Sequence, residues 1–361
     1  MSTLTKILEK KPIAASAPCR IDMGGTLDLA TFYQPLRHWQ PCTFNIAVNH
    51  RTTVTLLPFR KGRIKISSRG FESAEFDIDK APFLHPLGLM FAVAAYFDAA
   101  GVHVRIDSSS PPRSALGGSS AAAVALVAAF FAARDALKLT APERRRIALL
   151  AHAIEESAAG VPCGRQDQLA AAFGGVNAWQ WKSGPTGFSY RRASVVRKNR
   201  LASFQQHILL AYCGVPHASK DVNGLWVQQF LSGKYRNQWR EILSCTKKFI
   251  DALARNNYKG AVVAMNRETA VRSEMTPDVL DQLGKKLVDA ALRHHCGARF
   301  TGAGGGGCLW ALGTPGSIDR LRGIWEEILQ QRTEARLLEP HIDSDGLRLH
   351  KEPVPASGCN P

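Results

Sequence analysis

The chain has 361 residues, 45% hydrophobic and 21% charged, which is length enough for two packed domains and an ordinary soluble balance. That composition argues against a long disordered chain, a collagenous repeat or an integral membrane protein. Its 46 Lys and Arg against 30 Asp and Glu leave a net charge of +16, which favours anionic partners such as nucleotides, phosphorylated metabolites or nucleic acid without choosing among them.

Taken in chain order, the N-terminal stretch MSTLTKILEKKPIAASAP lacks the apolar segment of a signal peptide. Thr43 to Pro58 and Arg63 to Ser67 are predicted strands, with β-branched residues alternating with polar ones in Thr52-Thr53-Val54-Thr55-Leu56. His85 to Ala100 reads as a helix ending at Gly101, and Val102 to Asp107 as a strand. Ser119 to Leu139 reads as an Ala-rich helix; its apolar run, Ala121 to Ala133, is too short to cross a bilayer. Thr140-Ala-Pro-Glu143 is a capping-box start, and Ile147, Leu150, Ala151 and Ile154 follow at helical spacing in a helix that carries Glu155 near its end. A shorter helix is expected from Arg165 to Phe173, stopped by Gly174-Gly175 and followed by a strand from Val176 to Trp181.

Lys182 to Gly187 opens what reads as a less regular region, and a domain boundary is drawn near 185 to 200: one domain over 1–195, a second over 196–350, and a flexible tail over 351–361. Beyond it, His207 to Cys213 is a predicted strand, 225–295 is mostly helical, and Ala298 to Thr301 and Cys308 to Leu312 are strands around a glycine run. The eight cysteines, at 19, 42, 163, 213, 245, 296, 308 and 359, show no C-x-x-C pair or zinc-like spacing and read as free thiols of a cytoplasmic protein with no membrane partner.

Chemistry concentrates in three glycine-bearing segments and two acids. In Pro111-Pro-Arg-Ser-Ala-Leu-Gly-Gly-Ser-Ser-Ala-Ala-Ala123 a turn of small residues runs straight into a long helix. There Gly117 and Gly118 admit close backbone approach, the helix start offers free N–H groups, and Ser119 and Ser120 offer hydroxyls to phosphate or magnesium; an ordinary Ser-capped helix is the alternative. The Lys-Ser/Thr end of a P-loop is missing. Gly302 to Gly307 fits G-x-G-x-x-G, yet a strand follows where a dinucleotide fingerprint opens a helix, so the run, with Gly304 and Gly305 at its centre, is read as a wall of a nucleotide site or as a plain hairpin loop. Ala17-Pro-Cys-Arg-Ile-Asp-Met-Gly-Gly-Thr-Leu-Asp28 sets Arg20, Asp22 and Asp28 around a Gly24-Gly25 turn, as a site or as surface ion pairs. Glu155 precedes Asp167 across a helix break, which suits Glu155 to holding magnesium and Asp167 to orienting or deprotonating a hydroxyl; a solvated Glu and a dipole-stabilised first-turn Asp are the alternatives.

In order and spacing, Ala17-Pro-Cys-Arg-Ile-Asp, Pro112 to Ala122 and Gly302 to Gly307 together resemble the GHMP family, the small-molecule kinases named for galactokinase, homoserine, mevalonate and phosphomevalonate kinases. The resemblance implies an α+β fold of two domains, the first like ribosomal protein S5 domain 2 and the second ferredoxin-like, with the active site between them. It implies ATP and Mg²⁺, a nucleotide loop of Pro112, Arg113, Ser114, Ala115, Leu116, Gly117, Gly118, Ser119 and Ser120 with Gly304 and Gly305, and metal ligands Ser120 and Glu155.

Gly160-Val-Pro-Cys-Gly-Arg-Gln-Asp-Gln168 resembles the sugar-kinase branch, which implies Asp167 and Arg20 as the catalytic pair and Asp22, Gly24, Gly25 and Asp28 on the sugar. Gly24-Gly-Thr-Leu-Asp28 departs from the galactokinase pattern toward the heptose-phosphate and fucose kinases, and Ala115 stands where glycine is usual. The expected reaction is transfer of the γ-phosphate of ATP to a sugar or sugar-phosphate hydroxyl, the anomeric one foremost. The rivals are a kinase for a non-sugar alcohol and a silent sugar or nucleotide sensor. A nucleic-acid binder, suggested by Trp179, Trp181 and Tyr190 beside the basic run 191–200, is disfavoured because those aromatics alternate as core residues of a strand do.

Overall fold

The computed structural model describes residues 3–135, 137–160, 162–184, 187–216 and 219–350; the tail expected at 351–361 lies outside them. The chain begins with α1 (Thr3–Lys10), β1 (Ile13–Met23), α2 (Ala30–Tyr33), β2 (Cys42–Pro58), β3 (Arg63–Ser68), β4 (Ala74–Asp77), α3 (Gly88–Tyr96) and β5 (Val102–Ser108). Three helices follow, α4 (Gly118–Arg134), α5 (Ala141–Ala159) and α6 (Gln166–Phe173), then β6 (Val176–Gly184) and β7 (Gly187–Val196). The remainder is α7 (Leu201–Gln205), β8 (Ile208–Tyr212), α8 (Ser219–Leu231), α9 (Arg236–Ala254), α10 (Tyr258–Met275), α11 (Gln282–Arg293), β9 (Gly297–Phe300), β10 (Cys308–Leu312), α12 (Pro315–Leu329), β11 (Arg336–Leu338) and β12 (Arg348–His350).

Among the described residues the strands form two sheets. The first runs β12-β1-β2-β5-β3-β4, with β6 joining β2 and carrying β7; the second runs β11-β8-β10-β9. β1 and β2 pair antiparallel from Ile13↔Leu56 to Met23↔Phe44, with a register shift at Pro18/Cys19, and Arg20 and Asp22 lie beyond it toward the end of β1. The expected α+β architecture is therefore present, but the two cores do not divide at one point of the chain. Leu27, Leu29, Phe32 and Leu36 pack into the core of the second sheet, while Phe249 and Leu347 pack into the first.

α4 is buried almost all round, from Ser120 to Phe130, because its alanines let it lie close against β1 and β2. It ends at Arg134, short of the predicted Leu139, where Asp135 turns extended and the Arg134 guanidinium donates to the Phe97 carbonyl. α3 is likewise shorter than 85–100: a turn in which the Leu87 N–H donates to His85 Nδ1 precedes it, and Asp98 and Gly101 take positive φ after it. The helix carrying Glu155 starts at Thr140 as expected, its hydroxyl accepting from the Glu143 N–H.

The region after Lys182 is not irregular. β6 and β7 form a hairpin paired as far as Gly184↔Gly187, because Trp179 and Trp181, both buried, pack against Tyr190 and Phe188 of β7. Those tryptophans are core residues and offer no stacking surface for bases.

Candidate active site

A cavity of about 630 Å³ opens where the end of β1, the β5–α4 loop, α5, α6 and the β9–β10 loop converge. Arg20 of β1 reaches across it to Asp167 in the first turn of α6, Nε donating to Oδ1 and Nη2 to Oδ2, each at 2.7 Å. Its remaining terminal nitrogen, Nη1, donates to the Ala115 carbonyl at 2.5 Å. The Asp167 side chain is 22% exposed against 6% for Arg20, so the acid is the partner a ligand can reach. Burial alone would pull the Arg20 guanidinium down, yet Asp167 and Asp22 together hold it above its ordinary value.

The β5–α4 loop forms the opposite wall. Pro112, Arg113, Ser114, Ala115, Gly117, Gly118, Ser119 and Ser120 all line the cavity, whereas the Leu116 side chain is buried in the core and its carbonyl accepts from the Arg20 N–H at 2.9 Å. Gly117 caps α4 at φ 74°, and a Cβ there would stand 3.2 Å from Asp167 Oδ2; glycine is what brings loop and acid together. Ala115 occupies the left-handed region at φ 60°, which turns its carbonyl toward Arg20. Gly117 to Ser120, at the start of α4, line the cavity, and the N-terminal end of a helix favours anions.

Ser120 and Glu155 meet at one side: the hydroxyl lies 3.1 and 2.9 Å from the two carboxylate oxygens. Gln168 donates its amide N–H to Glu155 Oε2 at 2.7 Å, and its own carbonyl oxygen is buried without a donor. Burial pushes the Glu155 carboxyl up to about 7, against the lowering effect of Gln168 and Ser120. A hydroxyl, a carboxylate short of positive charge and an orphaned amide oxygen suit a hard cation that keeps most of its water and phosphate ligands, as Mg²⁺ does.

Asp28 lines the cavity beside Asp167, accepting from the Gln166 N–H at 3.0 Å; burial, with Asp167 adding to it, pushes its carboxyl up to about 6. Gly164 makes room for it, since a Cβ there would overlap the Asp28 carboxylate at 1.9 Å.

Asp22, Gly24, Gly25, Gly304 and Gly305 lie off the cavity. Asp22 does not face the cavity: it is fully buried, accepts from the Gly302 N–H at 2.7 Å and pairs with Arg299 at 3.3 Å. Gly24 and Gly25 are glycine for packing, because a Cβ would stand 2.6 Å from Thr246 and 2.6 Å from Asp22 Oδ2 respectively, and neither lines the cavity. Gly304 and Gly305 sit against Val279 and Val222, while the part of the run that reaches the cavity is Gly302 and Ala303. Residues missed in the sequence are Gln166, Gln168 and Gly164; the amides flanking Asp167 were the available signal, but nothing local ties Gln168 to Glu155 or Gly164 to Asp28.

Residues 87–175, which hold the β5–α4 loop, Glu155 and Asp167, match the family model of the GHMP kinases N terminal domain. No curated protein sequence matches the chain. Among solved structures, the galactokinase of Lactococcus lactis in complex with galactose is similar over 96% of this chain and 100% of its own, at 17% identity and a TM-score of 0.69. A D-glycero-D-manno-heptose 1-phosphate kinase from Bacteroides thetaiotaomicron covers 95% and 100% at 16% identity and 0.67, and the Streptococcus pneumoniae phosphomevalonate kinase with phosphomevalonate and AMPPNP covers 90% and 100% at 16% and 0.68. The match over residues 87–175 and the shared fold of these kinases bear out the resemblance drawn from the motifs.

Proposed function

We propose that the protein is a cytoplasmic, ATP- and magnesium-dependent sugar kinase that phosphorylates a sugar hydroxyl, the anomeric one foremost. The observation that carries this reading is the bidentate Arg20–Asp167 pair facing the anion-binding loop across one cavity, with Ser120 and Glu155 at its side. Phosphoryl transfer needs little covalent help from a protein; it needs positioning and charge.

The residues divide that work. N–H groups of Gly117 to Ser120 would hold phosphate oxygens, and Ser120 and Glu155 would hold the metal, which would supply positive charge to the transferring group. Asp167, clamped through both oxygens by Arg20, orients the acceptor hydroxyl and takes its proton, while Asp28 and Gln166 bind other hydroxyls. On this reading residues 1–195, to the close of β7, make up most of the first domain, with β12 returning to its sheet and Leu27 to Leu36 packing into the second core.

A non-sugar alcohol is the second reading, favoured by the equal likeness to phosphomevalonate kinase. ADP release with ATP and Mg²⁺ across a panel of free sugars, sugar phosphates and small alcohols tests both. Turnover on a sugar that is lost in Asp167→Asn supports the first; turnover confined to a non-sugar alcohol replaces it with the second.

A further inference from the structure

Beneath the cavity lies a second ionic cluster that this reaction does not call for. Glu268 and Arg272, one turn apart on α10, and Arg299 of β9 are fully buried, as is Asp22. Glu268 accepts from Arg272 Nε at 2.6 Å and from Arg299 Nε at 2.9 Å, a carboxylate gripped by two guanidinium groups. Arg272 lies under Trp226 and Trp239, at 4.7 and 5.2 Å from their ring centres. Arg272 Nη1 and Arg299 Nη2 are buried without an acceptor.

As a means of stabilising a fold this is poor: four charges leave water, two donors stay unsatisfied, and apolar side chains of similar volume would serve as well or better. What the cluster does hold is backbone and side chain at the site. Arg272 Nη2 donates to the Gly25 carbonyl at 2.6 Å, and Arg299 Nη1 contacts the Asp22 carbonyl at 3.2 Å and its carboxylate at 3.3 Å. Asp22 in turn accepts from the Gly302 N–H and stands 3.7 Å from Arg20 Nη1. A continuous run of charge therefore links α10 and β9 to the Arg20–Asp167 pair.

We propose that Glu268 is a positioning residue: by clamping Arg272 and Arg299 it fixes Asp22 and the Gly25 turn, and through them the orientation of Arg20 and of the Asp167 carboxylate. The inference rests on the reading of Asp167 as the group that meets the acceptor. Glu268 suits the role because Arg272 and Arg299 keep its carboxyl below its ordinary value in spite of a burial that would raise it.

The test is the charge-neutral double variant Glu268→Leu/Arg272→Met, which leaves the Arg299–Asp22 pair in place, with Arg299→Lys as a second variant that keeps the charge but loses the fork. Three quantities are read: the unfolding midpoint, kcat against the KM for ATP, and the Arg20 Nε–H resonance, assigned by its loss in Arg20→Lys. The expected result is a double variant that unfolds no earlier than wild type, with kcat down about 10- to 100-fold, the scale of a misplacement near 1 Å. The KM for ATP should stay within about threefold, and the Arg20 resonance should shift or lose protection. Arg299→Lys should show the same split in smaller measure, and it decides the matter if the double variant does not fold. A folded variant with kcat within about threefold of wild type and an unchanged Arg20 resonance would overturn the proposal. A wild type that phosphorylates no alcohol would overturn the functional reading instead, and the Arg20 resonance would still report whether the cluster positions the pair.

Discussion

Two ionic clusters lie next to each other in this protein and differ in one respect, their access to the cavity. In the Arg20–Asp167 pair the acid is 22% exposed and faces the β5–α4 loop; in the Arg272–Glu268–Arg299 cluster every side chain is at 0%. The first arrangement leaves a carboxylate that a hydroxyl can reach. The second has no side chain open to a ligand, so any effect on chemistry is indirect. Replacing a residue of the first should therefore change rate, and breaking the second by one charge should change stability.

The largest effect is expected at Asp167. Asp167→Asn should lower kcat by roughly 10²- to 10⁴-fold while leaving ATP binding intact, as measured by ADP release and by titration with a non-hydrolysable ATP analogue. Turnover equal to wild type would remove the acid from the mechanism. Next comes Glu268→Gln, which leaves two buried guanidinium groups sharing a neutral amide; chemical denaturation should show a loss of about 3–5 kcal/mol. A cost under about 1 kcal/mol would erase the contrast between the clusters.

Asp28 sharpens the comparison through pH. Its carboxyl is raised from 3.8 to about 6 in the folded state, so the contribution it makes to stability is fully present below pH 4 and is lost as pH rises through 6. Asp28→Asn should accordingly be more stable than wild type at pH 8, by ~2–3 kcal/mol, and indistinguishable near pH 3.5, at the cost of acceptor binding. Equal pH–stability curves for the two proteins would contradict this. The smallest effect belongs to Ala115, whose φ of 60° is a glycine conformation. Ala115→Gly should change stability by no more than about 1 kcal/mol, relief of strain being offset by a more flexible unfolded chain, with the Arg20 contact and kcat retained.

What was legible in the sequence was whatever depends on neighbours along the chain. The glycine turn running into α4, the capped start of α5 and the stop of α6 at Gly174 are local signals, and the functional loop sits on them. Arg20 and Asp167 were found through motif resemblance, although 147 residues separate them. The burial of Asp22 is not legible, because its partner, Arg299, is 277 residues away and only the folded chain brings it near. Glycine at 24, 25 and 117 looks alike in the sequence, yet what fills the missing Cβ space is Thr246 and Asp22 for Gly24 and Gly25 and Asp167 for Gly117. The hairpin of β6 and β7 was missed for a related reason: its stability comes from aromatic packing across the pair, which alternation along one strand does not reveal.

On the proposed function, the cavity between the β5–α4 loop and Asp167 is where a phosphoryl group passes to an alcohol. The most direct measurement is phosphorus NMR of a reaction holding ATP, Mg²⁺ and the sugar panel, run beside Asp167→Asn. The account predicts a new sugar phosphate ester signal growing in step with ADP and absent from the variant. Inorganic phosphate alone, or an ester formed equally by both proteins, would contradict it.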